Sequence, residues 1–188
     1  LYEASQAEQL NLLQYYDFQP KYASFIKENI LKLSDIEIFD DKIIINKEIS
    51  TPNVLNFYEK TLVNADTMIA EEHFVSFIHG DLNGKNIIID SQENVWIIDF
   101  FHTHRGHILK DLIKLENDLL YIFTKIDNFE DFKEACILSD TLISQDDLRH
   151  PPEAYIVSGF YNLNIKRAFR FVFHLRKYYK KIIDWDRD

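Results

Sequence analysis

Polar residues of types that support catalysis are concentrated near the middle of the chain, in the stretch HGDLNGKN. Asp81 follows His79 and Gly80, and Asn86 comes five residues after Asp81. Asp99 comes thirteen residues after Asn86, directly before a phenylalanine. The oxygens of Asn86 and Asp99 could share a hard cation, since Mg²⁺ prefers oxygen ligands and usually takes only one or two carboxylates besides substrate phosphates. The spacing therefore predicts chemistry on a metal-bound phosphate.

Each of these residue types has a role in phosphoryl transfer, which needs positioning and neutralisation of charge more than covalent help from the protein. We expect Asp99 to supply a charged magnesium ligand and Asn86 a neutral oxygen ligand. Asp81 is then available to accept a hydrogen bond from the attacking hydroxyl and to take its proton as the reaction proceeds. Gly80 and Gly84 allow the backbone to turn tightly on either side of this aspartate.

Three short strands are predicted around the motif. The segment HFVSFI leads into the polar loop, and NIIID and VWIID form a hairpin across the turn SQEN. A hairpin brings the start of its first strand beside the end of its second, so Asn86 and Asp99 should be neighbours. The hairpin is thus the element that must assemble the site.

The rest of the chain reads mainly as helix. We expect residues 1–73 to be mainly helical with a possible hairpin at 36–46, residues 74–106 to carry the catalytic and metal loops, and residues 107–188 to be helical. In the last segment Asp111 is placed to cap the first helical turn. These elements predict an α+β fold that is mostly helical, with a small catalytic β-hairpin.

Helices are predicted at about 129–143 and 153–184, separated by the polar stretch SQDDLRHPPEAY. The second helix has an apolar stripe and, beside it, a set of basic residues: Lys166, Arg167, Arg170, Arg176, Lys177, Lys180 and Lys181. This set fits a solvated face next to a core stripe, and it also fits an RNA-binding face.

Composition and charge exclude several classes of protein. The chain has 188 residues, of which 46% are hydrophobic, so it has enough apolar residues to bury a sizeable core. No apolar run approaches a membrane span and no signal segment is recognisable, so we expect a cytoplasmic protein with no membrane partner. The formal net charge of −10 repels polyanions, so nucleic acid is not the expected partner.

The motif resembles a known superfamily. HGDLNGKN followed by IIDF is similar to the catalytic and metal-binding loops of the kinase-like phosphotransferases, which include aminoglycoside phosphotransferases, choline kinases and protein kinases. Gly80, where protein kinases typically carry arginine, favours the aminoglycoside phosphotransferase branch, and GHILKDLIKLE resembles the Gly and Asp-Leu segment of that branch. The longer string that begins at IDFFHTHRGH also resembles kinase-like domains of bacterial conflict and signalling proteins.

The resemblance covers residues 74 to about 120 and implies the C-terminal lobe of a protein-kinase-like fold. It implies Mg²⁺ and ATP, or another nucleoside triphosphate, as cofactors. The roles that it implies are a catalytic base at Asp81, magnesium ligands at Asn86 and Asp99, and structural support from His79, Gly80 and Asp111. Lys85, within the same loop, could reach a terminal phosphate, although a solvated lysine fits this position better.

The small lobe of this superfamily is not recognisable in the chain. No glycine precedes Gly80, so the chain lacks a Gly-rich phosphate-covering loop. We expect that an N-terminal lobe lies upstream of Leu1 or was never present, and that the isolated chain is inactive. The full-length protein should phosphorylate a hydroxyl of a small molecule or a protein.

The alternative function is a pseudokinase-like nucleotide-binding or interaction module within a larger bacterial signalling or defence protein. Retention of the candidate base and both candidate metal ligands favours the enzyme, because a scaffold has little use for them. The three histidines of the segment HTHRGH, His102, His104 and His107, could form a zinc site. Substrate contact or hydrogen bonding within the loop fits this segment better.

Overall fold

The computed structural model describes residues 5–33, 35–63 and 70–185. The chain divides into two compact units. One comprises Leu1–Ala7 and Phe74–Asp188 and carries the polar motif, and we call it the motif unit. The other comprises Glu8–His73, and we call it the N-terminal unit.

The N-terminal unit contains an antiparallel three-stranded sheet as well as helices, so it has more strand than the helical spacing predicts. Strand β1 (Gln6–Leu10) begins in the motif unit. The elements that follow it in chain order are α1 (Leu12–Tyr15), α2 (Tyr22–Ile30), β2 (Ile36–Ile38), β3 (Lys42–Ile45), β4 (Ile49–Pro52), α3 (Val54–Asn56) and a π-helical turn at Phe57–Thr61. Strands β2 and β3 occupy the segment predicted as a hairpin, and Ile38 pairs with Ile43.

Strand β4 is the unexpected element of this unit. Thr51 and Pro52 lie beyond the predicted hairpin, in a segment expected to be helical, but they pair with Ile43 and Lys42 of β3 and end the sheet. Proline lacks a backbone N–H, and at the end of an edge strand that donor is not needed. The following helix begins only at Val54, where the side chain of Asn53 accepts a hydrogen bond from the backbone N–H of Leu55 at 3.0 Å.

The motif unit contains two small sheets and three helices among its described residues. Its elements are β5 (Glu71–Ile78), β6 (Ile87–Ile89), β7 (Val95–Ile97), β8 (His104–His107), α4 (Lys110–Asn117), a π-helical turn at Asp118–Phe123, α5 (Phe129–Ile143), a 3₁₀ turn at Ala154–Gly159 and α6 (Leu163–Trp185). One sheet has the strand order β1-β5-β8, and β6 and β7 form a separate hairpin. Strand β8 lies in the histidine segment, where the sequence predicts a loop.

The segment predicted as one helix over 153–184 consists of a 3₁₀ turn and the long helix α6. Two side chains fix the start of α6. Glu134 of α5 accepts hydrogen bonds from the backbone N–H groups of Tyr161 and Asn162 at 3.0 and 2.9 Å. Asn162 then accepts from the N–H of Asn164 at 2.7 Å, as a helix N-cap residue does. These capping hydrogen bonds make α6 begin after Asn162, apart from the 3₁₀ turn that precedes it.

The core of the motif unit lies along one face of α6. Ile165, Phe169, Val172 and Tyr179 recur at spacings of three, four and seven residues, and each is at most 1% exposed. The site loop and hairpin are attached to this core, because Leu82 and Ile87 pack against the cluster that contains Tyr179. Burial of each large apolar side chain contributes about 1.5–3 kcal/mol.

Arg176, counted with the basic residues of α6, lies in the core. Its guanidinium binds both carboxylate oxygens of Glu116, at 2.7 and 3.2 Å, and the backbone oxygen of Leu142 at 3.0 Å. The Tyr179 hydroxyl donates to the same carboxylate at 2.9 Å. This network ties α6 to α4, the helix that follows the polar motif. No described helix is long and apolar enough to cross a membrane.

Replacing Arg176 by methionine should lower the free energy of unfolding by roughly 3–5 kcal/mol, because it leaves the Glu116 carboxylate buried without its cation. Urea denaturation measures the change. Glu130→Gln, which removes an ion pair with Lys133 in which the glutamate is exposed, is the matched control and should have a far smaller effect. Equal losses in the two variants would contradict a stabilising role for the buried network.

Candidate active site

A buried carboxylate holds the start of the polar loop. Asp111, in the first turn of α4, is 3% exposed. Its Oδ2 accepts the backbone N–H of His79 at 2.6 Å, and its Oδ1 accepts that of Gly80 at 2.9 Å. The prediction that Asp111 caps α4 is wrong, because both of its oxygens bind the loop and Leu109, with no side-chain capping bond, is the N-cap residue. The charge is compensated by two N–H donors and by its position near the helix N-terminus.

His79 connects this loop to the end of the hairpin. The imidazole ring is buried, and its Nε2 lies 2.8 Å from the backbone oxygen of Ile98. Its Nδ1 accepts a hydrogen bond from the backbone N–H of Asp81 at 3.3 Å. The two contacts together require the tautomer with the proton on Nε2. The ring of Phe100 lies against the imidazole, with centroids 4.8 Å apart. His79 therefore fixes the distance between the Asp81 loop and the segment that carries Asp99.

Gly80 occupies a backbone position that other residues rarely adopt. Its φ is +83°, in the left-handed region, and a Cβ here would collide with the backbone oxygen of His102. The same carbonyl lies 2.7 Å from the Nδ1 of His104. Close approach of these two backbone segments is the physical reason for a glycine before Asp81.

Asp81 and Asn86 are in direct contact. The side-chain amide of Asn86 donates to the backbone oxygen of Asp81 at 2.9 Å and lies 3.5 Å from its Oδ2. Asn83 makes the same pair of contacts, at 3.0 and 3.4 Å. The Asp81 carboxylate is therefore oriented by two amides, and its side chain retains 28% exposure to solvent.

The Oδ1 of Asn86 has no hydrogen-bond partner within the described ranges, although the residue is only 8% exposed. A buried carbonyl oxygen without a partner is costly unless a ligand satisfies it. A hard cation is such a ligand, so the donor chemistry at this position fits Mg²⁺.

Backbone pairing within the hairpin places Asp99 at the same end as Asn86. Ile87 pairs with Ile97, and the N–H of Ile98 donates to the backbone oxygen of Asn86 at 3.0 Å. Asp99 follows in the left-handed conformation, with φ 63° and ψ 57°, and its side chain is exposed. The structure thus brings positions 86 and 99 to the same end of the hairpin, as the pairing argument predicts.

No group of three His, Cys, Asp or Glu side chains in the described part of the chain is arranged to hold a metal ion. This finding covers His102, His104 and His107 of the histidine segment. His104 and His107 lie in β8 at an odd spacing, which directs their side chains to opposite faces of the strand. The magnesium site predicted at Asn86 and Asp99 has one carboxylate and one amide and stays a prediction.

Lys85 and Lys114 differ in their relation to Asp81. Lys85 is exposed on the short 3₁₀ turn, and its ammonium forms no hydrogen bond or ion pair with any described residue. Lys114 of α4 forms an ion pair with Asp81 through Oδ1. The hydrogen bond from Lys114 is the main cause that lowers the pKa of Asp81, while desolvation acts in the opposite direction.

Lys114 and Asp118 are site residues that the sequence analysis missed. Asp118 accepts the backbone N–H of Gly84 at 2.8 Å, at the far end of the loop. With Asp111, these residues have positions i, i+3 and i+7 and so share one face of the helical segment. The spacing of these three polar residues could have indicated from the sequence that they act together. The apolar residues of the same helix gave the stronger periodic pattern.

The family model of Ternary complex associated domain 9 matches residues 3–188 of this chain. The chain belongs to this family. No solved structure matches it.

Part of this Ternary complex associated domain 9 chain is similar to curated kinases. A stretch of 78 residues is 37% identical to a 3-deoxy-D-manno-octulosonic acid kinase of Vibrio vulnificus (strain YJ016), covering 42% of this chain and 28% of the kinase. A stretch of 32 residues is 59% identical to the protein of the same name in strain CMCP6, covering 17% and 14%. The chain therefore spans less than a third of the length of these relatives. The similarity supports a kinase-like superfamily.

Replacing Asp111 by asparagine should free the loop, because an amide NH₂ group faces one of the two backbone donors. A hydrogen bond to a charged group contributes about 1.5–3 kcal/mol, and we expect a loss of stability of that order. Hydrogen exchange should show faster exchange of the His79 and Gly80 amides. Asp140→Asn, the same change at an exposed position of α5, is the control. Unchanged exchange at both amides would contradict the anchoring role.

Replacing Lys114 by methionine should raise the pKa of the Asp81 carboxyl towards its ordinary value, since the main cause of the lowered pKa is removed. Carboxyl NMR titration of the Ternary complex associated domain 9 chain measures this pKa. Lys85→Met removes the neighbouring charge without removing a contact, and it should leave the Asp81 titration almost unchanged. If Asp81 titrates at the wild-type pH in Lys114→Met, the ion pair does not form in solution.

Proposed function

We propose that this chain is the C-terminal lobe of a kinase-like phosphotransferase that uses Mg²⁺ and ATP, or another nucleoside triphosphate, to phosphorylate a hydroxyl. The observation that carries the proposal is the arrangement around Asp81. Its carboxylate is oriented by Asn83 and Asn86, paired with Lys114, and linked through the hairpin to Asp99. Similarity to curated kinases supports the same reaction class.

Asp81 is the candidate general base. Its pKa is lowered, first by the hydrogen bond from Lys114, and the ionised carboxylate can accept a hydrogen bond from the acceptor hydroxyl. The two amides restrict its rotation, and its partial exposure leaves a side open to the substrate. A base of low pKa takes the proton only as the bond to phosphorus forms, which suits a transition state that demands positioning more than deprotonation.

Asn86 and Asp99 are the candidate magnesium ligands, the first through the Oδ1 that has no partner in the described part of the chain. Bound Mg²⁺ supplies charge neutralisation for the terminal phosphates of the nucleotide. In the protein, the left-handed conformation of Asp99 turns the chain sharply after β7 and keeps its carboxylate at the same end of the hairpin as Asn86.

Lys114 is the candidate cation for the transferred phosphoryl group. Its ammonium is already at Asp81 and its side chain is 42% exposed, so a change of rotamer can move the charge from the base to a phosphate oxygen. Lys85, the lysine predicted from its place in the loop, forms no hydrogen bond or ion pair with a described residue that would hold it in the site. We therefore assign the phosphate contact primarily to Lys114.

The proposal requires a further lobe, from the natural polypeptide or from a partner, to cover the nucleotide. The hairpin exposes large apolar side chains: Ile89, Val95 and Trp96 are each more than half exposed. Ile89 and Val95 are cross-strand partners, and exposed apolar side chains that adjoin in this way mark an interaction site. The alternative, a pseudokinase-like interaction module, would use the same surface without phosphoryl transfer.

The acceptor is a small molecule or a protein hydroxyl. The net charge of −10 favours a cationic small molecule, such as the substrates of the aminoglycoside phosphotransferase branch. The relatives are named for 3-deoxy-D-manno-octulosonic acid, so this acid belongs among the acceptors to be assayed.

Phosphoryl transfer by the natural full-length protein should fall about 10²–10⁴-fold in Asp81→Asn, the range that a general base contributes. Asp99→Ala should abolish transfer, and Asn86→Ala should raise the Mg²⁺ concentration needed for half-maximal rate. Release of ADP with each acceptor, measured over a range of Mg²⁺ concentrations, gives both quantities. Glu93→Gln, at an exposed position in the turn of the same hairpin, is the control and should keep the wild-type rate.

Wild-type turnover in Asp81→Asn would remove the mechanism. Nucleotide binding by the wild-type protein without transfer to any acceptor would favour the pseudokinase-like module.

A further inference from the structure

The charges of the chain are strongly segregated into α6. Its 23 residues contain seven of the 21 Lys and Arg residues but only one of the 31 Asp and Glu residues. The formal net charge of −10 therefore conceals a strongly cationic helix attached to a more acidic remainder. An expectation based on net charge alone overlooks this helix.

The structure places most of these cations on one side of α6. Arg176 enters the core, while the exposed residues recur at spacings of three and four and form one stripe along the helix. We call this stripe the basic-aromatic face; it consists of Arg167, Arg170, Phe171, His174, Lys177, Tyr178 and Lys181. It is about 21 Å long at 1.5 Å per residue. Its two rings, Phe171 and Tyr178, are 41% and 56% exposed.

Within the part of the chain that the structure describes, no acidic side chain neutralises the cations of this face. Arg167, Arg170, Lys177 and Lys181 form no ion pair with any described residue, whereas Lys125 and other cations of the chain do. Lys177 lies 4.2 Å from the ring centroid of Phe173 and Lys181 lies 5.1 Å from that of Tyr178.

Like charges four residues apart, as in Lys177 and Lys181, destabilise a helix. The chain carries an excess of acidic residues, yet none interrupts this face. A polyanion that binds here would relieve the repulsion.

We propose that the basic-aromatic face binds a single-stranded nucleic acid. The cations match the phosphate backbone, and the exposed rings of Phe171 and Tyr178 provide surfaces on which unpaired bases stack. An acidic polypeptide would use the charges but would gain nothing comparable from the rings. A duplex hides its bases from stacking. The combination of charge and exposed rings on one helix face is what selects a single strand.

The binding is expected to be strongly salt dependent. For a single strand, log K falls with log salt concentration by about 0.7 for each phosphate neutralised, so four cations give a slope of roughly −3. Affinity should then fall roughly 50-fold between 50 and 200 mM salt. Fluorescence anisotropy with a 12-nucleotide oligouridine and an oligothymidine of the same length measures this dependence on the chain itself.

Paired variants separate charge from stacking. Lys177→Gln with Lys181→Gln should weaken binding and reduce the salt slope by about 1.4. Phe171→Ala with Tyr178→Ala should weaken binding at least about tenfold with little change in slope, because stacking does not release counterions. Lys27→Gln with Lys32→Gln, which removes the same charge from exposed positions of the N-terminal unit, is the control and should bind as the wild type does.

Binding that follows this pattern, with either the RNA or the DNA oligomer preferred, supports the proposal. Absence of binding to both oligomers at 50 mM salt would overturn it, as would an equal loss in the Lys27 and Lys32 control. Equal affinity for a duplex, or competition by polyglutamate with no effect of the two alanine substitutions, would also overturn it. Circular dichroism of each variant confirms that α6 is folded in the protein tested.

Discussion

The candidate site depends on one buried carboxylate. Asp111 accepts the backbone N–H groups of His79 and Gly80, and so fixes the path of the chain just before Asp81. A carboxylate is the most effective acceptor for two parallel N–H groups, because charge-assisted hydrogen bonds are short and strong. The loop would otherwise leave two backbone donors unsatisfied in a poorly hydrated position, at a cost of about 1–3 kcal/mol each.

Helix α4 and the turn after it extend this anchor along the loop. Asp111 binds its beginning, Lys114 binds the carboxylate of Asp81, and Asp118 binds the N–H of Gly84 at its far end. Because a helix is stiff, three contacts on one helical face set the geometry of the loop more firmly than the loop could by itself. Such pre-organisation is what a reaction governed by positioning and electrostatics requires. The Arg176 and Glu116 network then secures α4 to the core.

Helix α6 shows how one element serves two environments. Its apolar stripe builds the core, and Arg176 crosses into that core only because Glu116, Tyr179 and a backbone oxygen compensate it. The cations of the basic-aromatic face are exposed to solvent, and two of them, Lys177 and Lys181, lie on aromatic rings. The helix therefore builds the core with one side and keeps the positive charges of the basic-aromatic face on the other.

The sequence by itself determined the positions of the polar motif, the hairpin and the helix at 129–143, because turn residues and apolar periodicity act over a few neighbouring residues. It also indicated that Asn86 and Asp99 lie at the same end of the hairpin, since hairpin pairing is a local rule. Only the tertiary structure decided that Asp111 binds the loop instead of capping its helix, that Lys114 reaches Asp81, and that Arg176 is buried. Those contacts join residues about 30 to 60 positions apart, and at such separations the packing of helices, not the spacing of residues, selects each partner.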